Sequence, residues 1–147
     1  MTNRRVVEKF WSMVQDGGVV ALESVLHPNV VVTYPQSGEV IRGRDNVIAT
    51  VRQYPTDLPS GADDLHLETT ERTAAIASPM PFGMSSVTIF DEGELVVSQS
   101  ILTYPTGDVF YTCSIFKVRS QLITEETTYF ARPFEAPEWR SQWVEKA

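Results

Sequence analysis

The chain has 147 residues, a net charge of −7 and a pI near 4.8. This length predicts one domain, residues 1–147, with enough chain to bury a hydrophobic core. The acidic balance and the lack of a Lys/Arg cluster argue against a nucleic-acid partner, and the single cysteine excludes an internal disulfide. No stretch is long and apolar enough to span a bilayer, and no signal peptide is visible. We therefore expect a cytoplasmic protein with no membrane partner.

The first third of the chain predicts three helices and two strands. Apolar residues at helical spacing predict an amphipathic helix from Arg4 that stops before Gly17 and Gly18, and a shorter helix follows it. The segment 30–34 is rich in β-branched residues and predicts a strand with little exposed surface, followed by a turn and a short second strand. From Asp45 onward, apolar residues again repeat at helical spacing.

The second half of the chain predicts an antiparallel meander. Asp91–Glu94 is a hairpin signal between two β-rich runs. The predicted strands are 87–90, 95–104, 109–118 and 122–130. Between the two halves lies an extra segment, residues 56–85, rich in Pro and Gly but with apolar side chains. We expect strand-like structure over Leu65–Ser78 and a lid over Pro79–Met84 that covers a ligand cavity.

Two motifs connect this order of elements to a known fold. They are TYPQSGEVIRGRDNV at 33–47 and the tail YFARPFEAPEWRSQWVE at 129–145. The chain resembles the SnoaL-like branch of the nuclear transport factor 2-like superfamily. The resemblance implies an α+β cone, in which a curved, mostly antiparallel sheet wraps around three N-terminal helices and encloses an apolar cavity. The extra segment at 56–85 departs from this pattern, because ordinary members have a much shorter connection there.

Three catalytic patterns known on this fold were compared with the sequence. A ketosteroid isomerase pattern needs a tyrosine and two acids, and its matching positions hold Phe10, Tyr34 and Ser114. A limonene epoxide hydrolase pattern needs two acids bridged by arginine, and its matching positions hold no charged residue: Val31, Thr33, Gln99, Ile101 and Thr128. A polyketide cyclase pattern needs mainly one acid-base residue inside the cavity, and its corresponding place on the last strand is closest to Thr128 or, one inward step earlier, to Glu126. The first two mechanisms are therefore not expected.

Glu126 is the candidate catalytic acid. If Thr128 faces the cavity, the two-residue period of a strand places Glu126 and Phe130 there as well. Desolvation would then raise the pKa of Glu126 and suit it to shuttle a proton, while Tyr34 orients a substrate carbonyl. The alternatives are that Glu126 lies at the cavity mouth or pairs with an arginine, and that Tyr34 is a core residue. The predicted substrate-binding residues are Trp11, Val14, Thr33, Tyr54, Gln99, Ile101, Thr128 and Phe130.

Two functions remain open at this point. One is a domain that binds a small apolar ligand and lacks residues that the known catalytic patterns need. The other is an acid-base enzyme of the cyclase, isomerase or dehydratase type, acting on a polyketide- or steroid-like carbonyl compound. Neither histidine has a partner at metal-ligand spacing, so we expect no metal and no cofactor. The strands carry apolar residues on both faces, as at Ile115 and Phe116, which predicts a homodimer through the sheet face.

Overall fold

The computed structural model describes residues 1–16, 19–53, 83–104 and 106–146. Its helices are α1 (Asn3–Asp16), a 3-10 helix (Val19–Ser24), α2 (Arg44–Arg52) and a second 3-10 helix (Glu138–Trp143). Its strands are β1 (Leu26–Tyr34), β2 (Glu39–Arg42), β3 (Gly83–Glu92), β4 (Leu95–Thr103), β5 (Val109–Arg119) and β6 (Leu122–Ala131). The predicted order of elements is thus confirmed over these ranges.

Six strands form one sheet in the order β2-β1-β6-β5-β4-β3. The pairing of β1 with β6 is parallel, and the other neighbouring strands pair in antiparallel fashion. The last four strands follow one another as hairpins, which is the meander that the sequence predicts. An α+β fold with N-terminal helices and a mixed, mostly antiparallel sheet is therefore confirmed.

The hydrophobic core lies between the helices and one face of the sheet, here called the inner face. On α1 the residues that repeat at helical spacing, Val6, Phe10 and Val14, are all buried. The Phe10 ring meets the ring of Phe116 on β5 edge to face, with 5.6 Å between centroids. Fully burying each such side chain contributes roughly 1.5–3 kcal/mol. The amphipathic pattern of α1 therefore fixes the helix over the inner face.

Gly43 sets the entry into α2. Its φ of 88° lies in the left-handed region that favours glycine. Its N–H donates to the carbonyl oxygen of Val30 at 2.8 Å, which ties the end of β2 back to β1. A side chain at this position would be strained by the backbone angle. The chain consequently turns sharply, and Val47 and Val51 of α2 become buried against the core.

Two strands begin earlier than the sequence indicates. β1 starts at Leu26, before the predicted strand segment 30–34, and an irregularity in its pairing with β6 between Leu26 and Val31 accommodates Pro28. β3 starts at Gly83, where residues predicted as part of a lid pair with the end of β4. The remaining residues of the predicted lid, the segment Leu65–Ser78 and Tyr54 lie outside the described residues.

Candidate functional site

A cavity with a volume of about 1060 Å³ lies between the inner face, α1 and α2. Its exposed lining comes from the β1–β2 turn, β2 and α2, and is largely polar: Gln36, Ser37, Glu39, Arg42, Asn46, Thr50 and Gln53. Its buried lining comes from α1, α2 and the strands, and is mostly apolar: Phe10, Val14, Val32, Val47, Val51, Leu102, Tyr104, Thr112, Glu126 and Thr128. The described lining thus changes from polar and exposed to apolar and buried.

Aromatic side chains form much of the cavity wall. Trp11 meets Phe10 edge to face with 4.9 Å between ring centroids, and its indole N–H donates to Ser98 Oγ on β4 at 3.1 Å. Tyr34 and Phe130 lie 5.9 Å apart, centroid to centroid, on neighbouring strands. Aromatic walls with a few polar atoms suit flat, hydrophobic ligands.

Five hydroxyl side chains lie buried on the inner face of β4, β5 and β6: Ser98, Ser100, Thr112, Ser114 and Thr128. The register aligns Ser98, Ser114 and Thr128 across the three strands, and aligns Ser100 with Thr112. Ser100 Oγ and Thr112 Oγ1 share a hydrogen bond of 2.6 Å, and Ser114 Oγ and Thr128 Oγ1 share one of 2.7 Å. This arrangement keeps buried hydroxyls satisfied within the sheet.

Glu126 is a buried carboxyl group in this cavity, with 6% of its surface exposed. Its strand neighbours on the inner face are Val32 and Phe116, so its surroundings are apolar. Thr128 Oγ1 donates a hydrogen bond to Glu126 Oε1 at 2.7 Å. Within the described part of the chain, no Lys or Arg forms an ion pair with it. Desolvation raises the pKa of Glu126 to about 7, and the Thr128 hydrogen bond opposes this rise.

The hydrogen bonds around Glu126 have a direction that follows its protonation state. A carboxylate can only accept, and a hydroxyl has one hydrogen to donate. When Glu126 is charged, Thr128 therefore donates to it, and Ser114 must donate to Thr128. Ser114 thus supports the group that holds the carboxylate. The Glu126 carboxyl group, half protonated near neutral pH, can take up or release a proton.

The structure brings together six of the predicted site residues. Trp11, Val14, Tyr34, Glu126, Thr128 and Phe130 all line the cavity. On β6, the opposite face carries the intervening residues Glu125, Thr127 and Tyr129, as the two-residue period predicts. Glu126 lies deep in the cavity and not at an exposed mouth. Tyr54 lies outside the described residues.

The predicted positions of Thr33, Gln99 and Ile101 are wrong. On β1, Val32 and Tyr34 line the cavity, so Thr33 between them points to the opposite face. On β4, the buried residues are Ser98, Ser100 and Leu102, which sends Gln99 and Ile101 outward. Small serines fit the inner face here because the Trp11 ring lies against Ser98.

Correcting the faces on which these residues lie does not change the comparison with known catalytic patterns. The inward positions of β1 and β4 hold Val30, Val32, Tyr34, Val96, Ser98, Ser100 and Leu102, none of them charged. On β5, Ser114 occupies the position where the isomerase pattern needs an acid, and it is bonded to Thr128. Among the described residues of β1, β4, β5 and β6 that line the cavity, the carboxyl group is that of Glu126 on β6.

Gln36 is a cavity residue that the sequence did not single out. Its side-chain amide donates to the Phe130 carbonyl oxygen at 2.6 Å, and its Oε1 accepts from the Phe130 N–H at 2.5 Å. The side chain thus continues the pairing of β1 with β6 beyond Tyr34. A turn glutamine carries no local signal for such a contact, because its partner lies 94 residues away.

Comparisons with known proteins place this chain in a family. No family model and no curated protein matches the chain. Among solved structures, an NTF-2 like protein of unknown function from Burkholderia xenovorans LB400 is 31% identical, with a TM-score of 0.69 over 99% of this chain and 94% of that one. The chain belongs to the NTF2-like family.

More distant structures share the fold alone. A candidate ketosteroid isomerase from Kribbella flavida DSM 17836 is 16% identical, with a TM-score of 0.77 over 99% of this chain and 89% of that one. An LEH-like epoxide hydrolase of M. tuberculosis is 19% identical, with a TM-score of 0.59 over 88% of this chain and 82% of that one. At this identity a shared fold does not transfer an activity.

The described residues offer neither a metal-binding cluster nor a membrane-spanning helix. Among the described residues, no group of three or more His, Cys, Asp and Glu side chains could hold a metal ion. None of the helices in the described ranges is long and apolar enough to cross a membrane.

Proposed function

We propose that the protein binds a small, largely apolar molecule in the cavity between α1, α2 and the inner face. The volume of about 1060 Å³ is that of a site for a compound with several rings. Aromatic and aliphatic side chains supply the apolar contacts, and Thr128 and Glu126 supply polar atoms at one place. Within the NTF2-like family, the tail at 129–145 favours the SnoaL-like branch.

A second function, acid-base chemistry on the bound molecule, is favoured by one observation. Glu126 is a buried carboxyl group on the cavity wall that accepts a hydrogen bond from Thr128, and desolvation raises its pKa to about 7. A group with this pKa is efficient as a general acid or base at neutral pH. The ligand would carry a carbonyl group, with Glu126 moving the proton next to it and Tyr34 holding its oxygen. The cyclase, isomerase and dehydratase reaction types all use this step.

Ligand binding can be measured through Trp11, which lies in the cavity wall. The variant Trp139→Phe/Trp143→Phe removes the two exposed indoles and leaves Trp11 as the fluorescent reporter. We expect saturable quenching by flat apolar ketones of two to four rings, 2-tetralone being the smallest. A polar compound of equal size, such as a disaccharide, serves as the control. If no ketone of the series changes the Trp11 emission, the cavity does not bind this class of molecule.

The chemistry can be tested by exchange of the 2-tetralone α-protons into D₂O, followed by NMR. We expect the protein to accelerate exchange over buffer, and Glu126→Gln to lose about 10²- to 10⁴-fold of that rate with ligand affinity nearly unchanged. Tyr34→Phe should lose less. Glu125→Gln is the matched control, because it changes the adjacent carboxyl on the opposite face. Equal rates for Glu126→Gln and Glu125→Gln would exclude Glu126 as the base.

We also propose a homodimer that forms through the outer face of the sheet, the face opposite the cavity. Exposed apolar side chains lie there on neighbouring strands: Phe90, Leu95, Tyr111, Ile115 and Tyr129. A stable interface of this kind buries more than about 1,000 Å² in total. Analytical ultracentrifugation at micromolar concentration should give the mass of two chains, and the mass of one chain would contradict the proposal.

A further inference from the structure

The C-terminal tail, residues 132–146, exposes large aromatic side chains. Phe134, Trp139 and Trp143 are 79%, 74% and 72% exposed. The second 3-10 helix carries both tryptophans and buries none of its residues. These aromatic residues belong to the motif that the sequence analysis singled out, and neither the cavity nor its acid makes use of them.

Arg132, the first residue of the tail, contacts β5 and the residue that precedes this strand. Its guanidinium lies 3.4 Å from the Asp108 carboxylate and 4.6 Å from the centre of the Phe110 ring. Beyond this point, the tail residues are exposed, apart from the half-buried Pro137 and Arg140. An exposed segment with this aromatic content is typical of a protein contact, since single folded chains rarely leave such surface in water.

A groove on the outer face begins where the tail starts. It has a volume of about 520 Å³ and includes Gln99, Ile101, Tyr111, Cys113 and Tyr129. Ala131, the last residue of β6, also lines this groove and pairs with Tyr111 on β5. The aromatic tail and the groove are therefore adjacent in the fold, yet in the single chain the tail aromatics remain exposed.

We infer that the tail of one copy of this chain packs its aromatic side chains into the outer-face groove of a second copy. The exchange is reciprocal, so that each copy supplies one tail and one groove, as a two-fold axis requires. This inference concerns the association of the chain and does not rest on the proposed ligand chemistry.

The exposed area is large enough to support such a pair. An aromatic side chain buries about 150–250 Å², so three per tail and two tails amount to roughly 1,000 Å². This is the level at which interfaces are specific, before any contact between the sheet faces is added. The outer face of the sheet and the tail together therefore suffice for a stable dimer.

Charge and reach also suit a second copy as the partner. Residues 132–146 carry three basic and three acidic residues, so the tail adds nothing to the net charge of −7 that separates two copies. Elsewhere on β5 and β6, charged groups are paired with each other, Lys117 with Glu125, and Arg119 with Glu94 of the β3–β4 turn. The six residues before the second 3-10 helix span about 20 Å when extended. Four adjacent strands span about 14 Å, so this part of the tail is long enough to cross them.

The association can be measured by sedimentation of three chains: the full chain, a chain ending after Arg132, and Trp139→Ser/Trp143→Ser. We expect the full chain to dimerise and both variants to raise the dimer dissociation constant at least tenfold. Ser141→Ala, on the same helix turn, is the matched control and should keep the dissociation constant. Because the altered residues are exposed in the single chain, circular dichroism should show an unchanged fold.

Mixing two defective chains distinguishes exchange between copies from folding back within one copy. The shortened chain has a groove and no tail, and Gln99→Arg has a tail and a charged groove. A mixed dimer of the two contains one intact tail-groove pair, so we expect the mixture to dimerise more tightly than either chain alone. No gain on mixing, a monomeric full chain, or a dimer that keeps its affinity without the tail would each overturn the inference.

Discussion

The two faces of β4, β5 and β6 differ more in burial and bonding than in the types of residue they carry. Glu125 and Glu126 are consecutive, but Glu125 is exposed and bound to Lys117 at 2.9 Å, while Glu126 is buried and accepts from Thr128. Burial raises the pKa of Glu126 to about 7. The residue type is the same, and the face of the strand decides the chemistry.

The usual distribution of polarity is also partly reversed between the faces. The buried inner face carries a row of hydroxyls and a carboxyl group, whereas the outer face exposes Tyr111, Ile115 and Tyr129. Hydroxyls and an acid in an apolar cavity suit a ligand with a polar atom. Exposed aromatic residues on a sheet face suit another protein surface. The same strands can therefore serve a ligand on one side and a partner on the other.

The largest effect should come from truncating an inner-face core residue. Phe116 is fully buried and contacts Phe10 and Trp11. We expect Phe116→Ala to lower the free energy of unfolding by about 3–5 kcal/mol. Ile115→Ala, one residue away on the outer face, should cost less than about 1 kcal/mol. Urea unfolding at one low protein concentration, where copies do not associate, measures both values.

This pair of variants tests whether the two faces differ in the single chain. Equal losses for Phe116→Ala and Ile115→Ala would mean that the outer face is packed as tightly as the inner one. If the Ile115→Ala loss grows with protein concentration, the outer face is buried by association.

The next effect concerns the pH dependence of stability. Burial raises the pKa of Glu126 from its ordinary value of 4.5 to about 7. Because the folded state holds the proton more tightly than the unfolded state, Glu126 costs no stability below pH 4.5. The cost in stability grows as the pH rises from 4.5 through 7. Above pH 7 it levels off at about 3 kcal/mol. We expect Glu126→Gln to gain roughly this amount relative to the unsubstituted chain between pH 4.5 and pH 8.5.

Glu125→Gln supplies the comparison on the outer face. Its carboxyl group is exposed, so the substitution should shift the unfolding free energy by less than about 1 kcal/mol. Unfolding by urea at several pH values checks this. A stability of Glu126→Gln that runs parallel to that of the unsubstituted chain at all pH values would mean that Glu126 is not desolvated.

Much of the fold could be predicted because its signals are local. The helical spacing of Val6, Phe10 and Val14 specifies the buried face of α1. The two-residue period of β6 places Glu126, Thr128 and Phe130 on one face, and the family resemblance indicates that this face is the inward one. The periods of a helix and a strand depend only on backbone geometry. No distant contact is needed to recognise them.

The site was harder to predict where the polarity of the residues does not show which face of a strand is buried. On β4, the consecutive residues Ser98, Gln99 and Ser100 are all polar, so their alternation does not tell which side is buried. The contact of Trp11 with Ser98 decides the matter, and it joins residues 87 apart in the chain. The same applies to Gln36, whose partner Phe130 is distant in sequence. Such contacts follow from the packing of whole elements and not from a local pattern.

The smallest effect should separate Thr128 from Thr127. Thr128→Val keeps the shape of the side chain but removes the donor to Glu126 Oε1 and the partner of Ser114. Because that hydrogen bond lowers the pKa of Glu126, its loss should raise this pKa further above 7. The expected loss of stability is about 1 kcal/mol.

Thr127→Val is the matched control, since Thr127 lies on the outer face of the same strand and is half-buried. Titration of the Glu126 carboxyl carbon by NMR should show a higher pKa in Thr128→Val, an unchanged one in Thr127→Val, and a return toward the original value in Thr128→Ser, which restores the hydroxyl. A purely structural role for Thr128 would alter stability and leave the titration in place. A pKa that falls in Thr128→Val would mean that the hydroxyl favours the protonated acid, and that Ser114 and Thr128 do not hold the charged form.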